Sequence, residues 1–208
     1  MRETAAGLKY GFFVIFHPFR GFWNMKREGM GNARSASILL FLTVLATVLK
    51  KIYTGYFFSV YKAEDFNILL EIAIVFCPFF LWCAANWCLT TLADGEGSFK
   101  DIYIMTAYAL MPYILIQLGL TVISNVMCLE ELAYYSFFNS LSVIWSGALI
   151  FFGSMTIHQY SLKKNILVTA LIILGMGTLI FIGMLFYNLV SQIAAFFMGI
   201  YTEINFRI

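Results

Sequence analysis

The chain has 208 residues, of which 62% are hydrophobic, 18% aromatic and only 12% charged, with a net charge of +2 and a mean hydropathy of +0.85. A soluble domain of this length needs about a quarter of its residues charged to cover its surface. The deficit excludes an ordinary soluble domain, and the small net charge argues against nucleic acid as a partner. What remains is an integral membrane protein. The four cysteines, Cys77, Cys83, Cys88 and Cys128, show neither metal-ligand spacing nor a disulfide framework. The first residues lack the cleavage site of a signal peptide, and Lys9 and His17 interrupt their apolar centre.

Taken in order, the first element is "LKYGFFVIFHPFRGFWNMKREGMG", which is too short and too charged to span. The expectation is an interfacial amphipathic segment over residues 1–36, anchored in the headgroup boundary by Phe16, Phe19, Phe22 and Trp23. Pro18 is expected to kink or divide it. Five apolar runs follow, at about 37–60, 66–92, 103–126, 133–157 and 165–187, each long enough for a hydrocarbon core of roughly 30 Å. The fold expected for 37–208 is therefore an all-α, five-span helical bundle with very short connections and no second domain. Residues 165–205 as one helix would run about 60 Å, twice the bilayer core. Either that helix projects, or it breaks near Asn188–Gln192 and its remainder lies on the outer surface; the break is the expectation.

Basic residues set direction. With a cytoplasmic N-terminus, that side holds Arg2, Lys9, Arg20, Lys26, Arg27, Arg34, Lys100, Lys163 and Lys164, against Lys62 and Arg207 outside. Five spans then place the C-terminus outside.

The stretch "LTTLADGEGSFKDIYIMTAYALMP", residues 89–112, has the look of a site. Counted from Asp94, a calcium loop would need ligands where Lys100 and Met105 stand. A phosphate loop would not carry Asp94 and Glu96 in its cradle. Gly95 and Gly97 permit a reversal, and Ser98 followed by Asp101 reads as a helix start. The stretch is a cytoplasmic turn, with contact to a partner as the sharper alternative. Pro112 deprives the Tyr108 carbonyl of its helical donor, and Pro78 does the same to Ile74 in the preceding span. Both lie near mid-membrane, about 15 and 21 Å deep, where neighbouring groups must satisfy the freed carbonyls.

Ionisable residues within spans are functional candidates. Lys50 and Lys51 lie about 12 Å inside the first span if it ends at Phe58, and Glu71 about 7 Å inside the second. A Lys–Glu pair is geometrically reasonable; lysine snorkelling or a displaced boundary is the plainer alternative. Asn86, Gln117, Asn125, Asn139, Asn188 and Gln192 suit helix-joining hydrogen bonds. Neither His17 nor His158 has a nucleophile and carboxylate at a recognisable spacing. No enzyme and no cofactor is expected.

"FKDIYIMTAYALMP", a polar turn followed by an aromatic-small-Leu-x-Pro helix, resembles the "GYsLLP"-type signature of the Yip (Ypt-interacting protein) domain family. "HPFRGFW" is similar to the aromatic segment before the first span in bacterial members. The likeness covers about residues 17–190, with Ala107 standing where the signature often has Gly. The short N-terminal arm resembles the bacterial version rather than the GTPase-linked relatives of vesicle trafficking. The resemblance implies a non-enzymatic protein of a bacterial-type plasma membrane that works through other integral membrane proteins. The function expected is a scaffold or accessory subunit of a membrane complex, the alternative being a transport component such as a permease-associated subunit. Lipid and membrane proteins, including transporter subunits, are the expected partners.

Overall fold

A computed structural model describes residues 2–55, 58 and 67–207. The expected connection at 61–65 with Lys62, and the adjoining ends of the first two runs, lie outside the described residues. Helices α1 (Arg2–Phe16) and α2 (Pro18–Arg27) come first. They are divided at His17, and Pro18 opens α2 where a missing N–H costs no internal bond. Asn32 then caps α3 (Ala33–Tyr53) by accepting from the Arg34 N–H, and Asn67 does the same for α4 (Ile68–Leu92) with Leu69 and Leu70. Both are the side-chain caps that short amides supply at helix starts.

Ser98 and Asp101 form a reciprocal capping box at the start of α5 (Phe99–Ala109). The third apolar run is not one helix. It stops at Leu110, whose N–H reaches back to the Ala107 carbonyl at 3.3 Å, and resumes as α6 (Met111–Ile123) with Pro112 in its first turn. Pro78 behaves differently: α4 continues through it, so the expected matched pair of breaks reduces to one. Pro78 removes one bond from the middle of a 25-residue helix, whereas Pro112 stands where the helix can restart. A short 3-10 turn, Leu129–Glu131, leads into α7 (Leu132–His158), and α8 runs from Leu162 to Arg207.

Five stretches, α3, α4, α5–α6, α7 with its preceding turn, and α8, are long and apolar enough to cross a membrane. No strand occurs among the described residues, so the protein is an all-α bundle. The α5–α6 span is the most buried of the five and α8 the least. α3 packs on α5 and α6, α7 packs on α5 and α6 from another side, and α4 carries α8.

Three expectations are corrected. The first span ends at Tyr53 rather than near residue 60, because the chain turns extended at Thr54. The break near Asn188–Gln192 does not occur: α8 continues for 46 residues, about 69 Å at 1.5 Å per residue. Asn188 and Gln192 are exposed, and the Ser191 hydroxyl donates to the Asn188 carbonyl, so these polar side chains decorate the helix without replacing its backbone bonds. Third, the N-terminal segment is not only a surface anchor. Phe16, Phe19 and Trp23 are exposed, but Phe22 is fully buried and cannot reach headgroups. It joins Val14, Met25, Leu39, Met105, Tyr108 and Leu149 in the principal core. The expected boundary at 36/37 falls inside α3.

Gly153 makes that junction possible. A Cβ there would lie 2.6 Å from Met105 Cγ and 3.2 Å from Phe22. Gly153→Ala is expected to lower stability by about 1–3 kcal/mol through overpacking. Gly147→Ala on the same helix, with nothing within 4 Å, should be close to neutral. Thermal unfolding of both variants in one detergent checks this.

Candidate functional site

Polar groups concentrate at the two ends of the bundle. At the end carrying α2 and the α4–α5 and α7–α8 connections, the "ADGEG" reversal is held from three sides. Asp94 takes a positive φ of 53°, and the Gly95 N–H closes the turn on the Thr90 carbonyl at 2.8 Å. His158 Nδ1 accepts from the Gly97 N–H at 3.2 Å, which leaves Nε2 to donate to Asn86 Oδ1 at 3.1 Å. The neutral ring with its proton on Nε2 satisfies both bonds. Lys26 donates to Glu96 at 3.1 Å and to the Ile157 carbonyl at 2.7 Å, and Gln159 donates to Glu96 at 2.7 Å.

Tyr160 stacks on His158 and donates to the Ala93 carbonyl at 3.1 Å. Burial, and then the Asp94 carboxylate, pushes its phenol above the ordinary range, so it remains a donor at neutral pH. A Cβ on Gly95 or Gly97 would lie 2.6 Å from the His158 ring, so close approach demands both glycines. The acidic stretch is thus a clasped turn. Both His158 nitrogens are engaged in the clasp. Among the described residues, no three His, Cys, Asp or Glu side chains could hold a metal ion.

At the opposite end, Lys51 forms a salt bridge with Glu71. Lys50 instead donates to Asn139 Oδ1 on α7 at 2.6 Å. Gln117 on α6 donates to the same oxygen at 2.9 Å and to the Ser142 hydroxyl at 2.8 Å. The two lysines occupy the last turn of α3 and Glu71 the first turn of α4. Their depth is therefore about one turn from the helix ends, shallower than the sequence implied because α3 stops at Tyr53. Each charge opposes the partial charge of its own helix terminus, the favourable arrangement. Glu71 is 1% exposed and Gln117 fully buried. One oxygen on each, Glu71 Oε2 and Gln117 Oε1, has no hydrogen-bond partner.

Lys50, Lys51, Glu71 and Asn139, together with Tyr113, line a cavity of about 330 Å³. A second cavity of about 590 Å³ continues toward Pro78, Phe79, Trp82 and Ile150. Thr47, Ile74 and Tyr113 belong to both, and α4 and α7 flank the second without a packed seam between them.

Tyr108 stands in neither cavity. It is fully buried where α5 ends; its hydroxyl falls short of full hydrogen-bond geometry but faces Ser35 and the Asn32 backbone. Gly7 of α1 lies against the same hydroxyl. The signature stretch therefore forms the hub on which α1, α3 and α7 close through Tyr108, while its Thr106 and Leu110 face the second cavity. Sequence inspection missed the Lys26–Glu96 and His158–Asn86 contacts; with partners 70 and 72 positions apart in the chain, no local pattern signals them.

An all-helical chain with five spanning-length apolar helices and polar contacts gathered at its two ends is an integral membrane protein. The model of the Yip1 domain matches residues 12–201, and the chain belongs to that family. No curated protein and no solved structure matches it.

In a double-mutant cycle, Glu71→Gln and Lys51→Met are expected to couple by about 1 kcal/mol. Glu71→Gln with Lys50→Met should be nearer additive, because Lys50 engages Asn139. Thermal unfolding in detergent reads the cycle, and equal coupling to both lysines would contradict this assignment.

Proposed function

We propose that this protein is a non-enzymatic integral membrane scaffold or accessory subunit that assembles with other membrane proteins. The observation that carries this reading is α8. Its first turns pack through Val168 and Ile172 against α4, with Trp82 and Leu89 close by. From Leu179 onward its large apolar side chains, Phe181, Phe186, Phe196, Phe197 and Tyr201 among them, are exposed. The helix is about 69 Å long against a hydrocarbon core of roughly 30 Å. Lipid covers the part within the bilayer; the apolar remainder needs a protein surface to cover it. The asymmetry of basic residues supports a cytoplasmic N-terminus, which sends the far end of α8 outward; the membrane we propose is the plasma membrane.

A second reading, a transport component such as a permease-associated subunit, is favoured by the cavities beside Lys50, Lys51 and Glu71. Charged residues lining an intramembrane cavity are a feature of solute pathways.

Extraction of the native protein in mild detergent, followed by mass spectrometry, is expected to recover a stoichiometric membrane partner. A chain ending at Asn188 should keep its thermal stability and lose that partner. Recovery of the full-length protein alone, or retention of the partner by the shortened chain, would oppose the assembly reading. Solute flux changed by Glu71→Gln would favour the transport reading.

A further inference from the structure

The polar cavity and the apolar cavity beside it form one amphiphilic site. The polar part sits at the last turn of α3 and the first turn of α4, the depth of lipid headgroups. The apolar part reaches Trp82, about 16 Å farther along α4 than Glu71 at 1.5 Å per residue, roughly half a bilayer core. Thr47, Ile74 and Tyr113 line both parts, and the absence of an α4–α7 seam opens the apolar part sideways to lipid. A head at the mouth and one acyl chain within the slot fit this shape.

The chemistry of the mouth narrows the head. Lys50 presents an ammonium whose hydrogen-bond acceptor is the neutral Asn139 amide, and a phosphate oxygen would add an ionic acceptor. Glu71, which lines the same cavity, is 1% exposed, and its buried Oε2 has no donor. A buried carboxylate oxygen without a donor is costly. A ligand cation with an N–H would satisfy it. A purely anionic head would engage Lys50 and leave Glu71 as it is. A trimethylammonium carries no N–H to give. We propose that the site binds a phospholipid with a primary-amine head of the ethanolamine kind. The phosphate would sit on Lys50, the ammonium on Glu71 Oε2, and one chain between α4 and α7.

Trp82 lines the chain slot and can report on it. Full-length protein with Trp23→Phe, Trp87→Phe and Trp145→Phe, leaving Trp82 as its one indole, is reconstituted in phosphatidylcholine vesicles. Brominated-chain phosphatidylethanolamine is expected to reach half-maximal quenching at a mole fraction roughly tenfold below that of brominated phosphatidylcholine, the scale of one charged hydrogen bond. Because the head is varied and not the protein, a methylation series tests Glu71 without a folding risk. Mono- and dimethyl heads, which keep an N–H, should retain the preference, and the choline head should lose it. Glu71→Gln should bring the ratio close to one. Lys50→Met should remove the preference for phosphatidylethanolamine over brominated diacylglycerol.

Equal quenching by the ethanolamine and choline lipids would overturn the proposal. Brominated phosphatidylglycerol matching phosphatidylethanolamine would overturn the role of the amine. Millimolar O-phosphoethanolamine should leave quenching unchanged. If it displaces the lipid, the site takes a soluble phosphate and the lipid assignment fails.

Discussion

Lipid offers no hydrogen bonds, so the backbone polar groups that this chain carries into the bilayer must be met within the chain. That constraint organises the whole molecule. The break at Leu110 is tolerable because it lies inside the most enclosed span, with α3 and α7 packed around α5 and α6. Polar side chains elsewhere gather where helices end and loops return, and there they tie distant segments together: Lys26 to Glu96, His158 to Asn86 and Gly97, Lys51 to Glu71, Lys50 to Asn139. Between the two ends, packing is mostly apolar, with Gly153 as the point where α7 comes closest to Met105 and Phe22.

The two ends serve different purposes. The clasp around the "ADGEG" turn is largely engaged: both His158 nitrogens, Lys26 and Tyr160 have partners, and only Asn86 Nδ2 among its members is buried without one. It reads as a fastening that holds the α4–α5 and α7–α8 connections at a set distance. The other end is less complete. Glu71 Oε2 and Gln117 Oε1 are buried without donors, and a cavity opens beside the charged pair. Unsatisfied buried polar groups are infrequent in folded proteins, and here Glu71 also lines a cavity, which separates a site from a fastening. The long, largely uncovered α8 is a third feature, pointing to assembly rather than to chemistry.

Several local features were readable because their causes are local. Ser98 and Asp101 cap α5 since the two side chains need only the backbone three residues away. Pro18 divides the N-terminal segment for the same reason. Where two outcomes share one local pattern, the sequence could not choose. Pro78 and Pro112 carry the same covalent constraint, yet one stays within a continuous helix and the other marks a restart. Phe22 and Phe19 look alike on a helical wheel of aromatics, but α7 and α5 bury Phe22 and leave Phe19 at the rim.

The sequence by itself determined that the chain is a membrane-spanning helical bundle of five apolar runs, because hydrophobicity over a bilayer-length window is an additive, local property. The family signature in "FKDIYIMTAYALMP" was legible for the same reason, being contiguous. Only the tertiary structure decided that Lys51 rather than Lys50 meets Glu71, that Asn139 takes Lys50, and that the mouth opens into an apolar slot beside Trp82. It likewise decided that α8 continues past Asn188. Those outcomes depend on which helix faces which and in what rotation. That rotation is set by packing across the bundle, summed over contacts from residues far apart in the chain, and no stretch of sequence contains it.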